Sequence, residues 1–245
     1  ATFQTLARQA MDEIYSHGNI PIITGGTGFY IQALLYDIDF KENNEKNPIR
    51  KELEQLAKEL GDKAPGALHE KLSHIDPEAA RQIHANNIKR VIRAIEYFEQ
   101  TGEKISEHNE EMHQKESPYN FLYYVLTRDR KTLYERIDKR VDIMIANGLV
   151  KEIEKLKAMG CHRGQTSMQG LGYKEILDYL DGSCTLDEAV YILKRDTRHF
   201  AKRQLTWFRR ERDVRWLDLD RYQGNTDLIL KDILKDCEEK RIVLK

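Results

Sequence analysis

The stretch IPIITGGTGFYIQALLYDI, residues 20–38, decides the fold class. Its first five residues form an apolar run rich in β-branched side chains, the pattern of a strand buried on both faces of a parallel sheet. Gly25-Gly26-Thr27-Gly28 follows at once, and the ten residues after it carry helical periodicity. Strand, glycine turn and helix in this order present backbone N–H groups to an anion. The turn is not a Walker A sequence, since no G-K-[ST] follows. Taken locally, it reads either as phosphate contact through Thr27 or as a tight turn that only needs small residues.

Working outward, the pattern is that of an α/β core interrupted by helices. Residues 2–16 carry a helical stripe of Phe3, Leu6, Ala10, Ile14 and Tyr15, stopped at His17-Gly18. Residues 41–47 are polar and predict a loop. Helices are expected over 48–61, 67–72, 78–84 and 88–101. Asp76-Pro77 marks one start, Asn86 or Asn87 caps the last, and Gly102 ends it. The last helix buries Val91, Ala94, Ile95 and Phe98. Residues 41–118 therefore predict an all-helical insertion. A second strand is expected over 121–127 and a third over 214–219. Between them, Thr127 or Asp129 opens a long helix with Leu133, Ile137, Val141, Met144 and Ile145 inward. Further helices are expected over 149–159, 173–180 and 186–210, with a loop over 160–172. A last helix spans 227–240.

Charge is distributed unevenly. The 245-residue chain has 40 Lys and Arg against 41 Asp and Glu, yet residues 194–212 hold eight basic side chains and two acidic ones. Arg195, Arg198, Lys202 and Arg209 share one helical face, bordered by Arg203 and Arg210, while Leu193, Phe200 and Trp207 recur every seven residues on another, flanked by Ala189 and Leu205. Local positive charge beside aromatic rings suits contact with phosphate and bases, and it equally suits a solvated, salt-bridged helix. Lys89, Arg90 and Arg93 cluster at a helix start, where cations oppose the helix dipole. Either a functional demand or pairing with Glu96 accounts for them. No apolar run approaches the ~20 residues of a membrane span. Cys161, Cys184 and Cys237 lack C-x-x-C spacing and read as reduced thiols, and the histidines show no metal spacing.

Five strings then coincide with one family in order: GGTGFYIQALL, DPEAARQIHANNIKRVIRAIEYFEQTG, RIDKRVDIMIANGLVKEI, MQGLGYKEILDYLDG and AKRQLTWFR. Together they resemble the tRNA dimethylallyltransferases of bacterial type, over residues 1–219. The resemblance implies a P-loop-NTPase-like parallel-sheet core, residues 1–40 and 119–245, with the helical insertion at 41–118 contacting tRNA. It implies transfer of a dimethylallyl group from dimethylallyl diphosphate to N6 of the adenosine 3′-adjacent to the anticodon, with Mg²⁺ as cofactor and the base flipped out of its stack. By the same resemblance, Gly25, Gly26, Thr27, Gly28 and Arg140 are expected to hold the diphosphate, with Thr27 and Arg140 at the reacting centre. Arg50, Lys89, Arg90, Arg93, Gln169, Gly170, Gly172, Tyr173, Lys174, Lys202, Arg203, Gln204 and Arg209 are expected to meet the anticodon stem-loop, and Trp207 to lie in the core.

The family opens with a P-loop, G-P-T-[AS]-x-G-K-[ST], and a D-S-x-Q segment whose Asp is the expected general base; neither occurs in this sequence. The chain is thus expected to be incomplete at its N-terminus, to supply no metal ligand of its own, and to be inactive alone. The remaining expectations are a cytoplasmic monomer. Two rivals are an adenylate isopentenyltransferase acting on a free nucleotide and a non-catalytic RNA-binding module of the same fold.

Overall fold

The computed structural model describes residues 2–38 and 47–242; the expected loop over 41–46 lies outside them. The chain forms two compact units, one from the described residues of Ala1–Ile23 and Phe29–Tyr119, the other from Thr24–Gly28 and Asn120–Lys245.

The first unit is all-helical among the described residues: α1 Thr2–Ser16, α2 Gly28–Leu35, α3 Pro48–Leu60, α4 Ala64–Ile75, α5 Pro77–Gln82, α6 Ile88–Thr101 and α7 Ile105–Gln114. Its core joins Leu53 of α3, Leu68 and Leu72 of α4, Ala79 of α5, and Val91, Ile92 and Ile95 of α6. Asn87 stands at the N-cap of α6, and Gly102 closes the helix in the left-handed conformation at φ 71°, which costs a glycine nothing. The helix α7 has no counterpart in the sequence reading, because ISEHNEEMHQ carries no continuous apolar stripe. The stripe assigned to α1 is largely solvent-facing: Phe3, Leu6 and Tyr15 are exposed and only Met11 is buried. Phe3 instead stacks on Tyr30 of α2, with ring centroids 4.4 Å apart.

The second unit contains β1 Tyr123–Thr127, α8 Arg130–Ala146, α9 Leu149–Ala158, α10 Tyr173–Leu180, α11 Leu186–Phe208, β2 Val214–Asp218 and α12 Thr226–Glu239. A short 3₁₀ turn, Thr166–Gln169, interrupts the expected loop and buries Met168. β1 and β2 pair in parallel, from Tyr123↔Val214 to Thr127↔Asp218. Parallel pairing needs a crossover, and α8 to α11 supply it. Their core is Val141, Leu149, Ile153, Met168, Ile176, Leu177, Ala189 and Leu193. Asp220, just beyond β2, accepts from Arg128 Nη1 at 2.8 Å and from the Asp129 N–H at 2.7 Å. Asp129 in turn caps α8 through Lys131 and Thr132. The end of one strand therefore fixes the start of the helix that follows the other. On the strands' other flank, Asp236 of α12 accepts from the Tyr124 hydroxyl and pairs with Arg215. Burial, then that bond to Asp236, pushes the Tyr124 phenol up.

Two expectations are corrected. Residues 20–24 form no strand: they have no ladder partner among the described residues, and Ile22 is 85% exposed. An apolar β-branched run supplies the side chains of a strand, but strand structure also needs a neighbour for its backbone hydrogen bonds. Along α11, Phe200 is 43% exposed and Phe208, not read as core, is buried against Tyr123 with ring centroids 6.3 Å apart. A strict seven-residue spacing drifts by about 20° per heptad round a 3.6-residue helix, so over 23 residues the inward face moves from the Leu193–Phe200–Trp207 line to Phe208.

Asp76 organises the first unit. It is buried, and its carboxylate accepts from the Ala79 N–H, the Ser106 N–H and the Ser106 hydroxyl, all within 2.9 Å. One side chain thus caps α5 and ties down the first turn of α7. Burial pushes its carboxyl up, but those three bonds and the Lys104 charge outweigh it, and the net shift is downward. A depressed carboxyl adds stability that is present above its unfolded pKa of about 3.9 and lost as pH falls through the folded value. Asp76→Asn is therefore predicted to destabilise the protein by about 1 to 3 kcal/mol at pH 7. Urea unfolding measured across pH checks this: the gap from wild type narrows below about pH 4, and a gap that is constant with pH contradicts it.

Candidate functional site

The glycine turn is built against the C-terminal half of α11. Gln204 Nε2 donates to the Gly26 carbonyl at 2.7 Å. A Cβ placed on Gly26 would lie 2.2 Å from that same Nε2, and one on Gly28 would lie 2.2 Å from the Trp207 indole atoms Cδ1 and Nε1. At Gly28 the rigid indole demands a glycine by close approach, not by a left-handed φ, while at Gly26 a side chain would displace the Gln204 amide and with it the bond to the Gly26 carbonyl. Gly25 has open space around it. Gly28 is buried, while Thr24, Gly25 and Thr27 face solvent. Because Gly28 begins α2, the exposed part of the turn stands where helix N–H groups lack intrahelical partners. Beside Trp207, burial pushes the Glu211 carboxyl up, against the opposing pull of Arg212 and the Trp207 indole N–H.

Along α11 the basic stripe divides in two. Its first half is paired: Lys194 with Asp142 at 2.5 Å, Arg198 with Asp138 at 2.5 Å, and Arg195 with Asp196 at 2.8 Å. Asp138 and Asp142 belong to α8, so these cations pack one helix on the other. In the second half Lys202, Arg209 and Arg210 have no ion pair among the described residues, and Arg203 lies over the Phe200 ring at 5.9 Å. The salt-bridged reading describes the first half, and the available charge is concentrated in the second, beside the glycine turn. Arg140 stands on α8 between Asp138 and Asp142, exposed and without an ion pair among the described residues. No hydrogen bond joins it to Thr27.

Residues 169–174 are partly tied down. Gly172 has φ 100°, and its N–H donates to Glu175 Oε2 at 2.8 Å, closing a capping box at the start of α10. Lys174 Nζ lies 3.3 Å from Glu175 and 3.8 Å from Asp196. The Tyr173 hydroxyl donates to Glu152, which holds its pKa above the ordinary phenol value, with burial adding to the shift. Gln169 Nε2 donates to the Arg163 carbonyl at 3.4 Å, and Gly170 is exposed.

In the helical unit the cations again fall into two sets. Lys89 and Arg90 are exposed at the start of α6 and carry no ion pair among the described residues. Arg93 and Arg50 both reach Glu96, at 3.2 and 3.5 Å, and Arg50 also reaches Glu54 at 3.1 Å. Glu96 is fully buried and accepts from Asn47 Nδ2 at 3.4 Å. Sequence reading named Glu96 only as a partner for the α6 cations and did not find the Asn47–Arg50 side of the cluster. Its signal was a lone acid on an otherwise apolar helical face.

Against this geometry the similarities are specific. The model of the IPP transferase family matches residues 1–211. A tRNA dimethylallyltransferase of Lachnoclostridium phytofermentans is 58% identical over 241 residues, covering 98% of this chain and 76% of that protein. One from Acetivibrio thermocellus is 51% identical over 229 residues, covering 94% of this chain and 72% of that one. The crystal structure of a full-length tRNA isopentenylpyrophosphate transferase from Bacillus halodurans superposes with TM-score 0.65 at 42% identity, over 98% of this chain and 74% of its own. A eukaryotic dimethylallyltransferase caught acting on tRNA superposes with TM-score 0.75 at 26% identity, over 97% of this chain and 61% of its own. The chain belongs to the IPP transferase family.

Proposed function

We propose that this chain transfers a dimethylallyl group from dimethylallyl diphosphate to N6 of the adenosine 3′-adjacent to the anticodon. The observation that carries the reading is the 58% identity, over nearly the whole chain, to a protein named for that activity. The reaction forms an N6–C bond, breaks the allylic C–O bond, releases diphosphate and sheds one proton from the amine. Negative charge grows on the leaving oxygen, and preorganised donors are the usual source of catalysis in such displacements. Arg140 suits that work: its guanidinium stays charged, forks onto two oxygens, and is not committed to a carboxylate. The exposed hydroxyl and amides at Thr27 suit the diphosphate or the entering nucleotide. The base that takes the amine's proton is not assigned to a residue of this sequence.

RNA binding is assigned to the cations that lack an acidic partner among the described residues, Lys202, Arg203 and Arg209 on one unit and Lys89 and Arg90 on the other. Gly170 and Gln169 extend the first set, and Arg50 and Arg93 the second with part of their charge already spent on Glu96. Cations on both units suit a polynucleotide better than a free nucleotide, which has a single phosphate group to grip. As for Mg²⁺, it takes oxygen ligands in a near-octahedral shell. No cluster of three or more Asp, Glu, His or Cys side chains is formed among the described residues, and no step is routed through the ion. No described helix is long and apolar enough to cross a membrane.

Binding to an anticodon stem-loop, measured across a salt series against a hairpin with scrambled loop, tests the RNA assignment. Lys89→Gln and Arg90→Gln are each predicted to flatten the plot of log affinity against log salt by about one unit while leaving stability unchanged. Arg93→Gln is predicted to lower stability as well, by about 1 to 3 kcal/mol, because buried Glu96 loses a partner. Equal affinity for both hairpins contradicts recognition of the anticodon loop. In a prenyl-transfer assay, Arg140→Ala is predicted to lower kcat by about 10²- to 10³-fold with little change in RNA affinity; equal losses in both would place Arg140 on the RNA instead.

A further inference from the structure

The glycine turn and the basic half of α11 share one short piece of helix. Lys202 and Arg203 immediately precede Gln204, Trp207 follows three residues later, and Arg209 two after that. Gln204 spends an amide N–H on the Gly26 carbonyl at 2.7 Å, and the Trp207 indole leaves no room for a side chain at Gly28. Thr27 is the residue between these two fixed points, and it alone of the three faces solvent. We propose that Gln204 and Trp207 are positioning residues that hold the Gly26–Thr27–Gly28 backbone so that Thr27 is presented to the reacting groups, and that RNA seated on Lys202, Arg203 and Arg209 tightens that hold. The role given to Thr27 and the effect of RNA both rest on the functional reading above; the hold of Gln204 and Trp207 on the turn does not.

The chemistry is that of orientation. A turn with one open glycine at its head has little local structure of its own, since glycine gives up more conformational freedom than any other residue on becoming ordered. Two contacts from α11, one of them 178 residues away in sequence, replace what the turn lacks. A small misplacement of a group at the reacting centre lowers turnover without weakening substrate binding. RNA on the neighbouring cations would restrain the same helical turns that carry Gln204 and Trp207, so ordering at one place reduces the cost of ordering at the other. Gln204 is thereby moved from the set of RNA contacts to the support of Thr27.

Hydrogen exchange over residues 24–30 tests this, read with and without an anticodon stem-loop, in wild type and in Gln204→Met, which keeps length and removes the donor. Wild type is expected to slow its exchange when RNA binds. Gln204→Met is expected to exchange about tenfold faster without RNA and to lose most of the RNA-linked slowing. In a prenyl-transfer assay the same variant is expected to lose kcat by about tenfold or more while KM for RNA stays within about twofold. Gly26→Ala, which brings a Cβ against the same amide, is expected to be no worse in combination with Gln204→Met than alone, since both act through one contact. Unchanged exchange in Gln204→Met, or a raised KM with intact kcat, overturns the proposal and returns Gln204 to the RNA surface. If no RNA binds at all, the functional reading fails, while exchange in the RNA-free protein still decides whether Gln204 holds the turn.

Discussion

The hydrogen bond from Gln204 to the Gly26 carbonyl, backed by the Trp207 indole against Gly28, is the constraint that ties the glycine turn to α11. It brings a glycine turn near the start of the chain onto the end of a helix near its close. The turn's composition follows from that approach: two glycines make room for side chains of α11, and a threonine is left facing out between them. The rest of the second unit serves to place α11. The parallel β1–β2 pair fixes the ends of the crossover, Asp220 binds the start of α8, and α8 is locked to α11 by two carboxylate–cation pairs.

Charge is partitioned by the same packing. Where α11 lies on α8, its cations meet Asp138 and Asp142 and hold the crossover together. Where it passes the glycine turn, Lys202, Arg203, Arg209 and Arg210 have no acidic partner among the described residues. Exposed ion pairs contribute little to stability one by one, so the two pairs on α8 matter mainly as registration between helices. Buried carboxylates do the corresponding work elsewhere, each fixing backbone or cations: Asp76 joins two helix starts, Glu175 closes the turn at Gly172, and Glu96 gathers Arg50, Arg93 and Asn47.

Helices with caps were legible from sequence. Asp76 and Asp129 mark helix starts by side-chain caps and Gly102 marks an end by its left-handed φ, while Asn87 stands at the N-cap of α6 without a side-chain capping bond; local chemistry is what a sequence displays. The strand expected over 20–24 does not form; its side chains say nothing about whether a ladder partner is present. Phe200 and Phe208 exchanged roles because a heptad is only an approximation to helical period. Helix α7 escaped notice because its anchor, Ser106 on Asp76, joins residues 30 apart in sequence. Of the candidate site, the glycine turn and the basic stripe stand out in the sequence as residue types, whereas Arg140 is named only by the family resemblance. Which cations are already paired, and what Gln204 touches, are facts of tertiary packing. Arg198 and Lys202 look alike in the sequence, and only the position of Asp138 separates them.

The measurement that bears most directly on the central claim is nucleoside mass spectrometry of tRNA from cells in which the gene encoding this chain has been deleted. Dimethylallyl-modified adenosine is predicted to vanish from the position next to the anticodon and to return when the gene is restored. Unchanged modification in the deletion strain would contradict prenyl transfer to tRNA as the role of this protein.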